Sequence, residues 1–235
     1  AMIKTPARAR EIIRAAKRGA GTLPVSVKTR VGYNRDELDT WLPELLAEEP
    51  AVVTIHARTR KEMSLVPANW EYVKRAVAIR DALGSSTLIF GNGDVRSVED
   101  AYQKVSETGA DGVMLGRAIF GNPWLFHPSK RLHERIRVSD ASSLTHRTNE
   151  TEEIISLEER FRVMVEHTKL FEELLPHKNF AIMKKHYKAY VNGWDGAKEL
   201  RDRLMLTNSS FEVEQIVTEY LKGGSSWPYF GYLNS

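Results

Sequence analysis

Thr87-Leu88-Ile89-Phe90-Gly91-Asn92-Gly93-Asp94 and Asp111-Gly112-Val113-Met114-Leu115-Gly116-Arg117 decide how this chain folds. Each is a short apolar run that stops at glycine and polar residues, and a helix-like stretch lies between them. Strand, loop, helix and strand in that order is the repeat of parallel βα units. In a (β/α)8 barrel the loops after the last strands commonly form a phosphate site. Glycines let the backbone approach closely, and free N–H groups at a helix start face the anion. Asn92, Gly93, Asp94, Gly116 and Arg117 are therefore candidates for holding a phosphorylated cofactor. Either motif alone also reads as an ordinary turn. The pair on successive strand ends, with an arginine after the second, is far more specific.

Upstream the same rhythm continues. Thr5 to Arg18 reads as an amphipathic helix with Ala9, Ile12, Ile13 and Ala16 on one face, and Pro6 suits its first turn. Pro24 to Arg30 is a β-branched strand ending in charge. Asp36 to Glu48 reads as a helix capped from Asn34 or Asp36, and Ala51 to His56 as a buried strand. Asn69 to Leu83 is a long helix ended by Gly84. Ser97 to Glu107 is a shorter one, with Ser97 at the N-cap and Asp100 at the capping-box position. An initial helix and four βα units result, their strands short and apolar as buried parallel strands should be. An aromatic cluster, Pro123 to Phe126, closes the region.

Pro128 to Glu150 is polar and aperiodic and reads as a linker or mobile loop. Beyond it the pattern is helical only: Ser156 to Leu175, Asn179 to Val191, Gly196 to Leu206 and Ser210 to Leu221. The tail from Gly223 to Ser235 is Gly, Ser and aromatic. The domains expected are 1–127, a linker over 128–150, a helical domain over 151–222 and the tail 223–235.

Composition narrows the classes. The 235 residues are 42% hydrophobic and 28% charged, as in ordinary globular proteins. No apolar run approaches the roughly 18 residues that span a bilayer, so no membrane role is expected. Met2 leads into charged, helix-forming sequence, which does not read as a secretory signal. Cysteine is absent, which excludes disulfides, thiolate metal sites and cysteine catalysis within these residues and fits a reducing, cytoplasmic setting. The net charge of +3 permits a nucleic-acid partner without requiring one.

On a parallel barrel all strand C-termini face one mouth. Lys28 at the end of the first strand and His56 at the end of the second would then converge with Asn92 and Arg117. A lysine there could neutralise a phosphate or sit against an electron-rich ring, and the histidine could donate to a ring heteroatom or a phosphate oxygen. Taken singly, each also reads as a solvated rim residue. No His, Asp or Glu spacing matches a metal-ligand set. In the helical region Lys178, Lys184, Lys185 and Lys188 lie near one face, with Phe180, Met183 and Tyr187 opposite. The lysines read either as a solvated face or as phosphate contacts.

These stretches resemble a known family. Val25-Ser26-Val27-Lys28-Thr29-Arg30, Ile55-His56-Ala57-Arg58-Thr59-Arg60, Gly91-Asn92-Gly93-Asp94, Gly112 to Ala118 and Gly121 to Phe126, in this order, are similar to the second half of tRNA-dihydrouridine synthases. Phe180 to Tyr190 and Gly196 to Leu200 resemble that family's helical RNA-binding domain. The resemblance implies an α/β fold: the C-terminal half of a (β/α)8 TIM barrel, four parallel strands with helices, followed by an all-α helical bundle. It implies FMN bound by Lys28, His56, Asn92, Gly93, Asp94, Gly116 and Arg117, and NADPH as hydride donor. It implies tRNA as partner, contacted through Arg58, Arg60, Lys178, Lys184, Lys185 and Lys188, and reduction of a uridine to dihydrouridine. The family's first barrel half and its proton-donating cysteine have no counterpart here. The expectation is a fragment or one part of a split enzyme, nearly inactive alone and prone to associate with a complementary half or with itself. Two other readings stay open: another FMN barrel acting on a small molecule, and an RNA-binding module with a vestigial barrel half.

Overall fold

In the computed structural model, which describes residues 2–131 and 153–222, the apolar runs become strands of one parallel sheet. Its strands are β1 (Ser26–Arg30), β2 (Val52–His56), β3 (Leu88–Asn92) and β4 (Gly112–Met114), ordered β1-β2-β3-β4. Helix α1 (Pro6–Ala20) precedes the sheet, and α2 (Leu38–Leu46), α3 (Glu71–Ala82) and α4 (Val98–Thr108) connect its strands. Strands laid down in sequence order with right-handed crossovers place every connecting helix on the same face. The register agrees. Val53, Ile55 and Ile89 are fully buried in one core with Ala9, Ile13, Trp41, Leu42 and Val73 from the helices. Residues that alternate with them, Lys28, Thr54 and Phe90, share a level on the opposite face. A doubly wound sheet would carry helices on both faces. This sheet carries them on one, in the manner of a partial TIM barrel.

Local chemistry sets the helix ends. Pro6 stands in the first turn of α1. The Ser97 hydroxyl accepts from the Asp100 N–H at 3.1 Å and starts α4. Helix α2 is shorter than its pattern suggests. It ends at Leu46, and Glu48 lies beyond it, its carboxylate taken by Arg10 and Arg14 of α1 at 2.6–2.7 Å. The side-chain hydrogen bonds from Arg14 and Arg10 hold the Glu48 carboxyl down at about 2.

Two compact units, Ala1–Ala118 and Ile119–Ser235, divide the chain. In the second, α5 (Leu157–Leu174), α6 (Lys184–Tyr190), α7 (Ala197–Leu204) and α8 (Ser210–Lys222) surround Phe161, Met164, Met183, Tyr187, Leu200 and Leu204. The single helix expected over Asn179 to Val191 is two pieces. Asn179 Oδ1 accepts from the Ala181 N–H at 2.8 Å and winds Phe180–Met183 into a 3-10 turn, from which α6 continues. A two-residue parallel pair joins β5 (Lys130–Arg131), inside the stretch 128–150 read as a linker, to β6 (Glu153–Ile154), at the start of the stretch read as helical only. Residues 132–152 and the tail 223–235 lie outside the described residues. No helix among the described residues is long and apolar enough to cross a membrane.

Candidate functional site

Pairing brings Arg30, His56, Asn92 and Met114 to one level at the C-terminal end of the sheet. Lys28 is not at the strand end as expected. Strand β1 runs on to Arg30, which pairs with His56, so Lys28 lies two residues inside the sheet on the same face. Arg30 is the residue that sequence reading missed. The alternation Lys28-Thr29-Arg30 held the signal, since residues two apart on a strand share a face.

The loop after β2 is pinned before it reaches α3. Thr59 N–H and its hydroxyl both donate to Glu62 Oε2, at 2.7 and 3.0 Å. Arg30 Nη1 donates to the carbonyls of Thr59 and Met63 at 2.8 and 3.2 Å. Arg58, expected as an RNA contact, is buried. Its Nε donates to the Val66 carbonyl at 2.7 Å, its Nη2 bonds Asp94 Oδ2, and its Nη1 lies 3.4 Å from His56 Nε2. That placement makes Arg58 a framework residue of the mouth and does not fit a surface contact to RNA. Arg60, two residues on, is exposed.

Asp94 gathers three loops. Besides Arg58, its carboxylate accepts from the Ala68 N–H at 2.8 Å and from Arg117 Nη2 at 2.9 Å. The bond from Arg58 holds the Asp94 carboxyl below the usual carboxylate range. With both oxygens engaged by donors, Asp94 is suited to positioning Arg58 and Arg117 and not to touching an anion itself. Gly93 stands before it at φ +127, a backbone region L side chains rarely adopt. A Cβ there would come within 2.8 Å of the Ala68 Cβ and 3.4 Å of the His56 ring. The Gly93 carbonyl accepts from the Trp70 indole N–H at 3.0 Å, and Asn92 Nδ2 donates to the Met114 carbonyl at 2.7 Å. Gly116 precedes the 3-10 turn Arg117–Ile119, and a Cβ built there meets nothing within 4 Å.

Lys28, Arg30, His56, Arg58 and Arg117 thus share this mouth with the Asp94 carboxylate and, beside Arg30, that of Glu62. The imbalance acts on their protons. Burial, then Arg30, Lys28 and Arg58, push His56 down to about 4. Burial and Arg30 lower Lys28, and burial followed by Arg58 and Arg60 lowers Arg30. Cations that depress one another make a site that an anion would relieve. The open space at Gly116 admits a group close to the backbone. These residues fit a phosphate-bearing group. No group of three or more His, Asp or Glu side chains that could hold a metal ion occurs among the described residues.

In the second unit Lys178, Lys185 and Lys188 are exposed and Lys184 is half-buried, while Met183 and Tyr187 are fully buried. Among the described residues none of the four lysines forms an ion pair, whereas Lys169 and Arg203 pair with Glu214 and Glu219.

The family model described as dihydrouridine synthase (Dus) matches residues 1–222. A probable tRNA-dihydrouridine synthase of Staphylococcus epidermidis is 36% identical over 222 residues, 93% of this chain and 61% of that protein. The probable tRNA-dihydrouridine synthase 2 of Bacillus subtilis is 36% identical over 220 residues, with the same coverage. A probable tRNA-dihydrouridine synthase of Staphylococcus aureus is 36% identical over 222 residues, 93% of this chain and 60% of its own. The chain spans about three-fifths of the length of these relatives.

Proposed function

The chain belongs to the dihydrouridine synthase family, and from that premise we propose that it carries the flavin-facing and tRNA-facing parts of a tRNA-dihydrouridine synthase. The observation that carries this reading is the cation-rich mouth, where Lys28, Arg30 and His56 lie on one sheet face beside the fully engaged Asp94 carboxylate. The sheet is read as the C-terminal half of a (β/α)8 barrel and the helices after it as an RNA-binding domain. FMN would be held by Lys28, His56, Asn92, the backbone at Gly93 and Gly116, and Arg117, with Asp94 aiming the arginines. When bound, FMN supplies hydride chemistry, drawing reducing equivalents from NADPH. Lys28 and His56 give the ring positive and hydrogen-bonding neighbours. Arg117 faces the phosphate as counter-ion, a charge-assisted contact about twice as strong as a neutral hydrogen bond. Arg60 and the lysines Lys178, Lys184, Lys185 and Lys188 would take tRNA phosphates.

Lysines without an acidic partner among the described residues favour tRNA over a small-molecule substrate. The proposed reaction reduces a tRNA uridine to dihydrouridine in the cytoplasm. A positioned proton donor is worth about 10²–10⁴-fold in rate, and these 235 residues contain no cysteine to serve as one. By themselves they should turn over very slowly.

Two titrations test the reading. FMN should bind the chain more tightly than riboflavin, which lacks the phosphate, and Arg117→Ala should erase that preference. Equal binding of the two flavins by the unaltered chain would remove the phosphate site. For RNA, Lys185→Glu with Lys188→Glu should weaken tRNA binding and flatten its log–log salt dependence by about 0.7–0.9 for each phosphate no longer held. Identical affinities and slopes, with unchanged circular dichroism, would return the lysines to a solvated face.

A further inference from the structure

Phe120 is a large aromatic residue that the protein leaves outside, at 47% exposure, yet holds firmly. Its neighbour Gly121 is buried at φ +70 against α6, where a Cβ would lie 2.4 Å from the Ala189 carbonyl oxygen. That close approach, closed to any other residue, presses the segment onto the helix. The His186 ring meets Phe120 edge-on, with centroids 5.5 Å apart and planes at 73°. His186 is braced in turn by His167 at 4.9 Å, and Tyr190 Oη lies 3.4 Å from His167 Nδ1. Lys185 Nζ lies over one face of the Phe120 ring, 5.8 Å from its centre, a cation–π contact. The ring is therefore oriented by His186 and Lys185, half exposed, and in contact with a lysine that has no acidic partner among the described residues.

A fixed exposed ring next to unpaired cations is what single-stranded nucleic-acid surfaces use. Bases stack on the ring and the backbone phosphates fall on the cations. An acidic protein partner would satisfy the lysines but gives no reason for an oriented ring. We propose that Phe120 is a stacking platform for one unpaired RNA base, with Lys185 taking an adjoining phosphate. This deepens the reading of the second unit as an RNA contact and rests on it. The contact is blind to base identity, because every base offers a flat face. It selects instead for an unpaired or splayed nucleotide over a duplex.

Fluorescence anisotropy with a labelled oligouridylate, a hairpin duplex and a tRNA transcript separates the possibilities. Phe120→Leu keeps apolar bulk and removes the ring. It should weaken oligouridylate binding about 5- to 150-fold, the range that removal of a base stack gives, and leave duplex binding and the salt slope unchanged. Phe120→Trp should restore affinity. Equal oligouridylate affinity for wild type and Phe120→Leu, while Lys185→Glu with Lys188→Glu still weakens binding, overturns the platform and leaves the RNA reading standing. No effect from any of these variants overturns both. Parallel loss of duplex and single-strand binding in Phe120→Leu marks a merely structural residue and also overturns the platform. A measurement free of variants guards against misfolding: a 5-iodouridine oligonucleotide irradiated on the wild-type chain should crosslink at Phe120, and a crosslink only elsewhere refutes the proposal.

Discussion

At the scale of single residues, Asp94 and Gly93 carry most of the site. Asp94 draws a buried guanidinium, a surface guanidinium and a backbone N–H onto one carboxylate. Those donors come from the two ends of the β2–α3 loop and from the exit of β4, so one side chain ties both loops to its own after β3. Gly93 makes that geometry possible, because the chain must turn at φ +127 under Ala68 to deliver Asp94. Gly93→Ala should therefore destabilise the first unit by about 1–3 kcal/mol, the usual penalty for a side chain in such a backbone region. Thermal melting would read this, and an unchanged midpoint would show that the loop relaxes freely. Neither residue's role follows from spacing alone. The sequence marks Gly91-Asn92-Gly93-Asp94 as a turn with polar capacity. It does not say that Asp94 faces Arg58, because those two residues are 36 positions apart and meet only when β2 and β3 pair.

At the scale of elements, helix ends behave as their local sequence requires. Ser97 caps α4 and Ser156 caps α5, each accepting the N–H three residues on, at 3.1 Å. Both have an acidic residue there, Asp100 and Glu159, which also suits the positive end of the helix dipole. Ser97→Ala should cost about 1 kcal/mol, measured as a fall in the denaturant midpoint with the slope unchanged. A wild-type midpoint would mean that Asp100 alone sustains the first turn. Strand ends were less legible. The strand read over Pro24 to Arg30 begins at Ser26, and its pairing of Arg30 with His56 puts Arg30, not Lys28, at the strand end. Helix α6 illustrates the same limit. Its apolar spacing suited one continuous helix, yet a side-chain cap at Asn179 tightened the first turn into 3-10 geometry.

At the scale of the whole molecule, half-buried imidazoles tie stability to pH. Burial lowers His167, burial and then His167 lower His186, and His56 is held at about 4. A histidine depressed in the folded state binds its proton more readily when unfolded, where its value is near the ordinary 6.5. The stabilisation is therefore full above about pH 6.5 and is lost as pH falls toward the folded values. The Glu48 carboxylate, low in the folded state, adds a second loss as pH falls from the ordinary carboxylate range to about 2. Denaturant midpoints should be level above neutrality and drop steadily between about pH 6.5 and 4. His167→Phe should flatten part of that drop. Equal midpoints at pH 7 and 4.5 would refute the linkage.

The sequence by itself determined the repeat of strand and helix, the one-sided apolar faces and the glycine-flanked strand ends. These depend on contacts within a few residues and on periodicity, which any stretch of chain states on its own. The family could be read for the same reason, from short motifs in a fixed order. Only the tertiary structure decided which charged residues meet. Arg30 came level with His56 through strand register. Arg58 turned inward because Asp94 arrived from the next strand, and among the described residues the Lys178–Lys188 row has no acidic partner, whereas Lys169 and Arg203 pair with Glu214 and Glu219. A lone charge in a sequence has no fixed environment. Its burial, its partner and its proton affinity belong to the packed neighbours, and those are set only when distant segments come together.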